Sequence, residues 1–360
     1  MARPDSATNC FFHTEYVLAR TCFLEAAQRA HAIHTPFVHP QYADLWCDAV
    51  IVPHCAPVAL ITLSGTHGIE GFCGSAIQSY VLHHIESLAA PPLFQIHIHG
   101  LNAWGMQHFS RTNEQHVDLN RNSVDFTQPL PTNRLYPTVH EYLAFADWNE
   151  RNLVRFWEFQ ETFVQTHGLT GWNTAFSGGQ YAYPDGVMYG GTAPTWSHQV
   201  VQQIAQQIPE FVTTVIILDL HTGVGQFGAA LLLVKQLTPL EFTISLPSVR
   251  SQQHHIVFDA DRLPLSTQNF SGLMLEAFTK HLPQRVIPMV VEYGTYPART
   301  MIEAILYDRW LAWNVGPASA QRQSLLERYC PADARWRNRV LDHAWMLIQT
   351  LGQHGAPRKE

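Results

Sequence analysis
Charge is scarce in this sequence. Asp, Glu, Lys and Arg make up only 14% of its 360 residues, against about a quarter in an ordinary soluble domain, while 46% are hydrophobic. A chain of that composition buries much of itself, which excludes the disordered and fibrous classes. Basic runs are missing as well. The 22 basic residues are scattered and outnumbered by 29 acidic ones, so no stripe tracks a phosphate backbone and nucleic acid is not an expected partner. No uninterrupted apolar run of about 18 residues occurs, so no membrane-spanning helix and no membrane partner are expected. The opening "MARPDSATNCFFHTEYVLAR" lacks the charged start, apolar stretch and cleavage site of a signal peptide, and a cytoplasmic protein is expected. CxxC pairs are absent. Cys10, Cys22, Cys47, Cys55, Cys73 and Cys330 read as reduced thiols packed as small apolar groups, with Cys73 closest to the first motif below.

The length allows one large domain or two ordinary ones. No repeat, low-complexity tract or linker divides the chain, so a single domain over residues 1 to 360 is expected. The first 45 residues read as a helical lead-in, with apolar residues at helical spacing in "YVLARTCFLEAAQRAHAI". Short β-type runs then alternate with longer amphipathic segments. "AVIVPH", "VALITLSG", "LFQIHIHGL", "FVTTVIILDLHTG", "ALLLVKQL" and "RVIPMVVEYG" read as strands. "GSAIQSYVLHHIESLA", "RTMIEAILYDRWLAWN" and "ADARWRNRVLDHAWMLIQTL" read as helices. The alternation predicts an α/β sandwich, a central mixed and mostly parallel sheet flanked by helices. Residues 127 to 200 differ, because "TQPLPTNRLYPT" and "SGGQYAYPDGVMYGGTAPTWS" are rich in Gly, Pro, Tyr and Trp. They read as a loop-rich insertion in a core from about residue 45 to about 310, its aromatics roofing a site or packing on one another. Helices are expected over residues 300 to 350.

"LSGTHGIEGFCGS" sets His67 and Glu70 three residues apart where an apolar strand opens into a glycine-rich turn. That spacing brings both side chains to one side of the turn, close enough to share an ion. Taken alone, the pair is a common coincidence in a chain with 21 histidines. A second apolar strand ends "VIILDLHTGVG", with His221 at its carboxyl end, where open α/β sheets bind ligands. Two histidines and one carboxylate leave a position for water, the pattern of a catalytic zinc. A third strand, "MVVEYGTYP", brings Glu292 to the same edge, where a carboxylate could move a proton between water and a leaving amine. The plainer reading makes each residue a polar strand cap. In "SRTNEQHVDLNRN", Asn120 and Arg121 suit a bidentate grip on a substrate carboxylate, and Arg111 suits an oxyanion. His97 and His99 share one face of a strand and read as core residues rather than ligands; His83 and His84 read as surface or packing residues, and Asp219 as a support for His221.

"GTHGIEG", "VDLNRN", "LDLHTG" and "VEYG", in this order, resemble the zinc carboxypeptidase superfamily, in particular its branch with succinylglutamate desuccinylase and aspartoacylase. Within that superfamily, "LNAWG" with "SRTNEQHVDLNRN", "GGQYAYPDGVMYGG" and "DLHTGVGQFG" most resemble a bacterial subgroup whose function is uncharacterised. The resemblance runs from about residue 45 to about 310. It implies one zinc ion on His67, Glu70 and His221, with Glu292 as the catalytic glutamate. It further implies Asn120 and Arg121 on the substrate's terminal carboxylate, Arg111 polarising the scissile carbonyl, and Asp118 orienting the first zinc histidine. Tyr293 and Tyr296 are candidates, by proximity, for the tyrosine that carboxypeptidases set over the substrate.

The expected function is therefore zinc-dependent hydrolysis of an amide beside a carboxylate-bearing residue. Short peptides, as in a metallocarboxypeptidase, and N-acyl amino acids both present that group. A catalytically silent ligand-binding protein is the rival from another class, and loss of a ligand or of the base would mark it; all are present. Nothing in the pattern sets an oligomeric state.

Overall fold
The apolar runs become strands wherever both of their faces can be covered. The computed structural model describes residues 8–88, 93–234, 255–259, 270–317 and 320–355. Its strands are β1 (Ile33–Val38), β2 (Trp46–Val52), β3 (Val58–Ser64), β4 (Phe94–His99), β5 (Thr214–Gly223), β6 (Ala230–Val234), β7 (His255–Asp259) and β8 (Arg285–Gly294). They form one sheet in the order β1-β2-β4-β3-β5-β8-β6-β7. The central strands β4, β3, β5 and β8 pair in parallel, while β1, β2 and β6 join antiparallel. This is the expected mixed, mostly parallel sheet between helices.

Period-two alternation assigns the strand residues to two cores. Leu60, Ile216, Leu218, Ile287 and Met289 pack with residues of the Gly71–His83, Ala298–Asn314 and Ala334–Gly355 helices. Ala59, Ile61, Val215 and Ile217 pack with the Trp196–Ala205 and Met274–His281 helices on the other face. Among the described residues, no helix is long and apolar enough to cross a membrane.

Two expectations need correction. The lead-in has a short 3-10 turn at Thr8–Phe11 and is α-helical only from Tyr16 to Arg29. It turns at Ala30 and continues as β1, an edge strand paired antiparallel with β2. Pro36 fits there because an edge strand tolerates the loss of an N–H. The insertion is not loop-rich throughout, since Tyr136–Leu143 and Glu150–Ser177 are helices. Its Gly- and Pro-rich ends dominate the composition, yet Phe156, Phe163, Trp172 and Phe176 line one buried side of the long helix between them. Asn149 caps that helix by accepting from Asn152 N at 2.9 Å, and Gly168, at φ 70°, kinks it. These aromatics share a cluster with Leu306, which docks the insertion on the Ala298–Asn314 helix. The end of "ALLLVKQL", from residue 235 on, lies outside the described residues.

His97 and His99 belong to the core. His97 Nδ1 pairs with Thr62 Oγ1 at 2.8 Å, and its Nε2 faces Gln95 Oε1 at 3.3 Å. His99 pairs with Ser75 Oγ at 2.9 Å and stacks on Phe23. Burial pulls each of them down to about 4. The folded state thus refuses a proton that the unfolded chain accepts at about 6.5. Stability is unaffected above that pH and falls as the pH drops from about 6.5 toward 4. His97→Gln should lose about 2 kcal/mol less than the unaltered protein between pH 7 and pH 4.5. Urea unfolding at the two pH values measures this, and equal losses would refute the assignment.

Candidate metal and catalytic site
The carboxyl ends of β3, β5 and β8 lie side by side, and each delivers one part of the site. β3 stops at Ser64, and Gly65, at φ 81°, turns the chain back. The turn is pinned from below: Leu101 N donates to Ser64 O, Asn102 N to Gly65 O and Ile69 N to Ser110 O, each at 3.0 Å. His67 then caps a single helical turn, Gly68–Glu70, which runs directly into the Gly71–His83 helix. Gly68 has no room for a side chain, because a Cβ there would stand 2.4 Å from the backbone of Gly105 and 2.5 Å from Ser110 O.

This turn carries His67 and Glu70 to His221 near the end of β5. The three side chains are buried, and their donor atoms lie within 4.8 Å of one another. An ion with bonds of about 2.0–2.2 Å would draw these atoms closer together. Glu70 Oε2 accepts from Thr222 N at 3.0 Å and lies 3.3 Å from His221 Nδ1. His67 Nδ1 is buried without a hydrogen-bond partner among the described residues, with Asp118 Oδ1 3.4 Å away and out of line. Two imidazoles, a carboxylate and an unsatisfied buried nitrogen fit a divalent metal ion.

Carboxylates surround the pair of histidines. Asp219 Oδ2 is 2.9 Å from His221 Nε2, too oblique for a hydrogen bond, and its Oδ1 accepts from Thr66 Oγ1 at 2.7 Å. Burial works to lower His221, but the Asp219 and Glu70 carboxylates outweigh it and raise the ring well above its ordinary value. Burial pulls His67 the other way, well down, and the Arg111 guanidinium adds to it. Asp118 is fully buried, which opposes its ionisation, yet Arg111 holds it well below the usual carboxylate range. Arg111 Nη1 donates to Asp118, and its Nη2 lies 2.8 Å from His67 Nε2.

Glu292 stands opposite His221 in the β5–β8 register. Val224 N donates to its Oε2 at 3.4 Å. Burial pushes it up to about 7, with the pull of His221 opposing and the Glu70 carboxylate adding.

Asn120 and Arg121 sit on a helical turn capped by Asp118 and are held by the insertion and the Met274–His281 helix. Asn120 Oδ1 accepts from Met274 N at 2.8 Å. Arg121 donates to Ser177 O from Nε and Nη2, at 3.2 and 2.6 Å, and to Asn120 O from Nη1 at 2.6 Å. One N–H on each terminal nitrogen is left over. Among the described residues no carboxylate pairs with Arg121, and burial pulls it below the ordinary guanidinium value. A buried guanidinium in that state offers its free N–H groups as donors to an anion.

The structure thus gathers His67, Glu70, His221, Glu292, Arg111, Asp118, Asn120 and Arg121 at one sheet edge. It does not bring the tyrosine candidates there: Tyr293 points into the opposite core, and the Tyr296 hydroxyl donates to Glu327 Oε1 at 2.7 Å. Cys73 is likewise a core residue, its thiol pushed well up by burial. The insertion aromatics divide, with Trp172 and Phe176 packing on each other and Tyr181 donating to Arg121 O at 2.7 Å. Sequence reasoning missed Asp308. Its Oδ2 accepts from Arg111 N at 2.9 Å and its Oδ1 from Arg322 Nη1 at 2.7 Å. Its place on an amphipathic helix gave no signal.

A family model described as "Protein of unknown function (DUF2817)" matches residues 12–343. No curated protein matches the chain. Among solved structures it is similar to a candidate metallopeptidase from Shewanella denitrificans OS217, with 11% identity, 83% of this chain and 90% of that one covered, and a TM-score of 0.41. It is similar to a candidate succinylglutamate desuccinylase/aspartoacylase from Shewanella frigidimarina NCIMB 400, with 16% identity, 80% and 74% covered, and a TM-score of 0.36. A third similarity is to bovine thrombin-activatable fibrinolysis inhibitor in complex with tick carboxypeptidase inhibitor, with 11% identity, 92% and 97% covered, and a TM-score of 0.45.

Because Gly68 meets backbone on two sides, Gly68→Ala should abolish metal binding without deleting a ligand, and lower stability by about 2–4 kcal/mol. Elemental analysis beside thermal unfolding tests this. A variant with full metal content would show that the turn can yield.

Proposed function
We propose that this chain, which belongs to the family described as protein of unknown function DUF2817, is a zinc-dependent hydrolase that cleaves an amide bond beside a carboxylate. One observation carries the reading: the buried His67, Glu70 and His221 donor set with Glu292 in register across from His221. Nitrogen and carboxylate donors with a position left open suit zinc. When bound, the ion supplies Lewis acidity and makes water a nucleophile near neutral pH. Glu292 takes a proton at its carboxylate from the attacking water and returns it to the leaving nitrogen. Arg111 turns its N–H groups toward the oxygen that gains charge. The free N–H groups of Arg121, with the Asn120 amide beside them, hold the substrate's carboxylate and fix the register of the scissile bond.

Short peptides are the first substrate class, cut as a carboxypeptidase cuts them. N-acyl amino acids are the second, and one observation favours them. The residues around Arg121 are walled by the insertion, with Ser177 O on its guanidinium and Tyr181 on its carbonyl, while His67, Glu70 and His221 are 2–4% exposed. A narrow site admits a small substrate more readily than a chain.

The test is a mixed panel of short peptides and N-acyl amino acids, incubated with zinc-loaded protein and followed by mass spectrometry for released amino acid. Glu292→Gln should retain zinc and lose about 10²- to 10⁴-fold in turnover. The substrates consumed distinguish the two classes. Full zinc occupancy with no release from any substrate would instead support a silent binding protein.

A further inference from the structure
Arg111 stands on irregular chain. Between Gln107 and Leu119 there is neither helix nor strand, so no ladder of backbone hydrogen bonds fixes the base of its side chain. A carboxylate supplies the anchor instead. Asp308, on the Ala298–Asn314 helix and 197 residues away in the chain, accepts from Arg111 N at 2.9 Å and from Ser110 Oγ at 3.4 Å, both at Oδ2. Its Oδ1 accepts from Arg322 Nη1 at 2.7 Å, and Arg322 Nε donates to Gly316 O at 3.1 Å. Ser110 is a joint as well. Its N donates to Gly105 O at 2.8 Å, and its carbonyl accepts from Ile69 N at 3.0 Å, within the turn that carries His67 and Glu70. Hydrogen bonds thus run from Arg322 through Asp308 to Ser110 and Arg111, and from Ser110 on to the turn of the donor set.

We propose that Asp308 is the positioning residue for Arg111: it clamps the Ser110–Arg111 joint, so that the base of the guanidinium side chain and the turn holding His67 and Glu70 keep one fixed relation. The proposal rests on the hydrolase reading above. Stability alone gives no reason for a carboxylate at this place. Asp308 and Arg322 are 5% and 1% exposed, and replacing a buried ion pair by apolar residues of similar volume is often neutral or stabilising. What an apolar residue lacks is an acceptor. Without one, Arg111 N becomes a buried donor with no partner, and the loop loses its tie to the helix. A displacement of about 1 Å in a group that must meet the reacting bond costs about 10²-fold in rate. The two oxygens divide the work: Arg322 occupies Oδ1 and keeps the carboxylate in place, and Oδ2 is left to the loop.

Two double variants that differ only in the acceptor test this. Arg322→Met removes the buried cation from both. Asp308→Asn then keeps an oxygen for Arg111 N, whereas Asp308→Leu has a similar branched shape and no acceptor. kcat and KM are measured at full zinc occupancy on a substrate from the panel above, beside thermal unfolding. The Asn variant should turn over within about 5-fold of the unaltered protein, and the Leu variant should lose about 10- to 100-fold in kcat with KM within about 3-fold, because Arg121 still holds the substrate. The Leu variant should be at least as stable as the Asn variant, which buries amide N–H groups without a partner. Equal kcat in the two variants overturns the proposal, and so does a kcat that simply follows stability. Amide hydrogen exchange needs no substrate. In the unaltered protein the Arg111 N–H should exchange at least roughly 10³-fold more slowly than a free amide, and Arg111 and Ile69 should both exchange faster in the Leu variant than in the Asn variant. Exchange of Arg111 at the free rate in the unaltered protein overturns the proposal even if neither variant folds. If no substrate of the panel is cleaved at full zinc occupancy, the hydrolase reading fails, and the exchange rates alone decide whether Asp308 clamps the joint.

Discussion
Everything in the site hangs on one strand register. β5 and β8 run parallel with His221 opposite Glu292, and alternation puts both on the same face of the sheet. A slip of one residue would bring Tyr293 to the site and send Glu292 into the apolar core. What resists the slip is the other face, where Leu218, Leu220, Met289, Val291 and Tyr293 are all buried in one cluster. Each such side chain contributes about 1.5–3 kcal/mol by burial. Together they exceed the several kcal/mol that a partly desolvated carboxylate costs. Apolar packing on one side of the sheet thus holds an unfavourable carboxylate on the other.

The charges at that edge are tightly coupled. Against burial, Arg111 holds Asp118 ionised and the Asp219 and Glu70 carboxylates raise His221, whereas burial itself raises Glu292. The donor atoms of His67, Glu70 and His221 converge among them, where a bound cation would be the largest local charge. Arg111 is close to three of these groups at once, His67, Glu70 and Asp118, while Arg121 is turned toward backbone carbonyls.

The strands were legible because burial on both faces writes a plain signature. "VIILDLHTG" and "RVIPMVVEYG" are continuous apolar runs, and polar residues at their ends stand out by contrast. The same contrast pointed to His67, Glu70, His221 and Glu292, which the structure brings together. β1 was missed because an edge strand with a proline and one open face has no such run. The long helix at Glu150–Ser177 was missed because glycine and proline at the ends of the insertion outweighed the apolar period between them. Asp308 was illegible for a different reason. Its role is set by Arg111 and Arg322, which are distant from it in sequence or on other elements, and an acid on an amphipathic helix reads as solvated surface.

The insertion also explains how a buried guanidinium can stay available. Arg121 lies against the end of the Glu150–Ser177 helix, where carbonyl oxygens are left without intrahelical partners and carry partial negative charge. Gly179, at φ 91°, lets the chain pass so close that a Cβ there would stand 2.7 Å from Arg121 Cδ. Had the protein supplied a carboxylate instead, a bidentate pair would have neutralised the guanidinium and filled its fork. Carbonyl dipoles fix the direction of the side chain and offset only part of the cost of burying it. No carboxylate among the described residues fills its fork, which is the place the proposed substrate carboxylate would take.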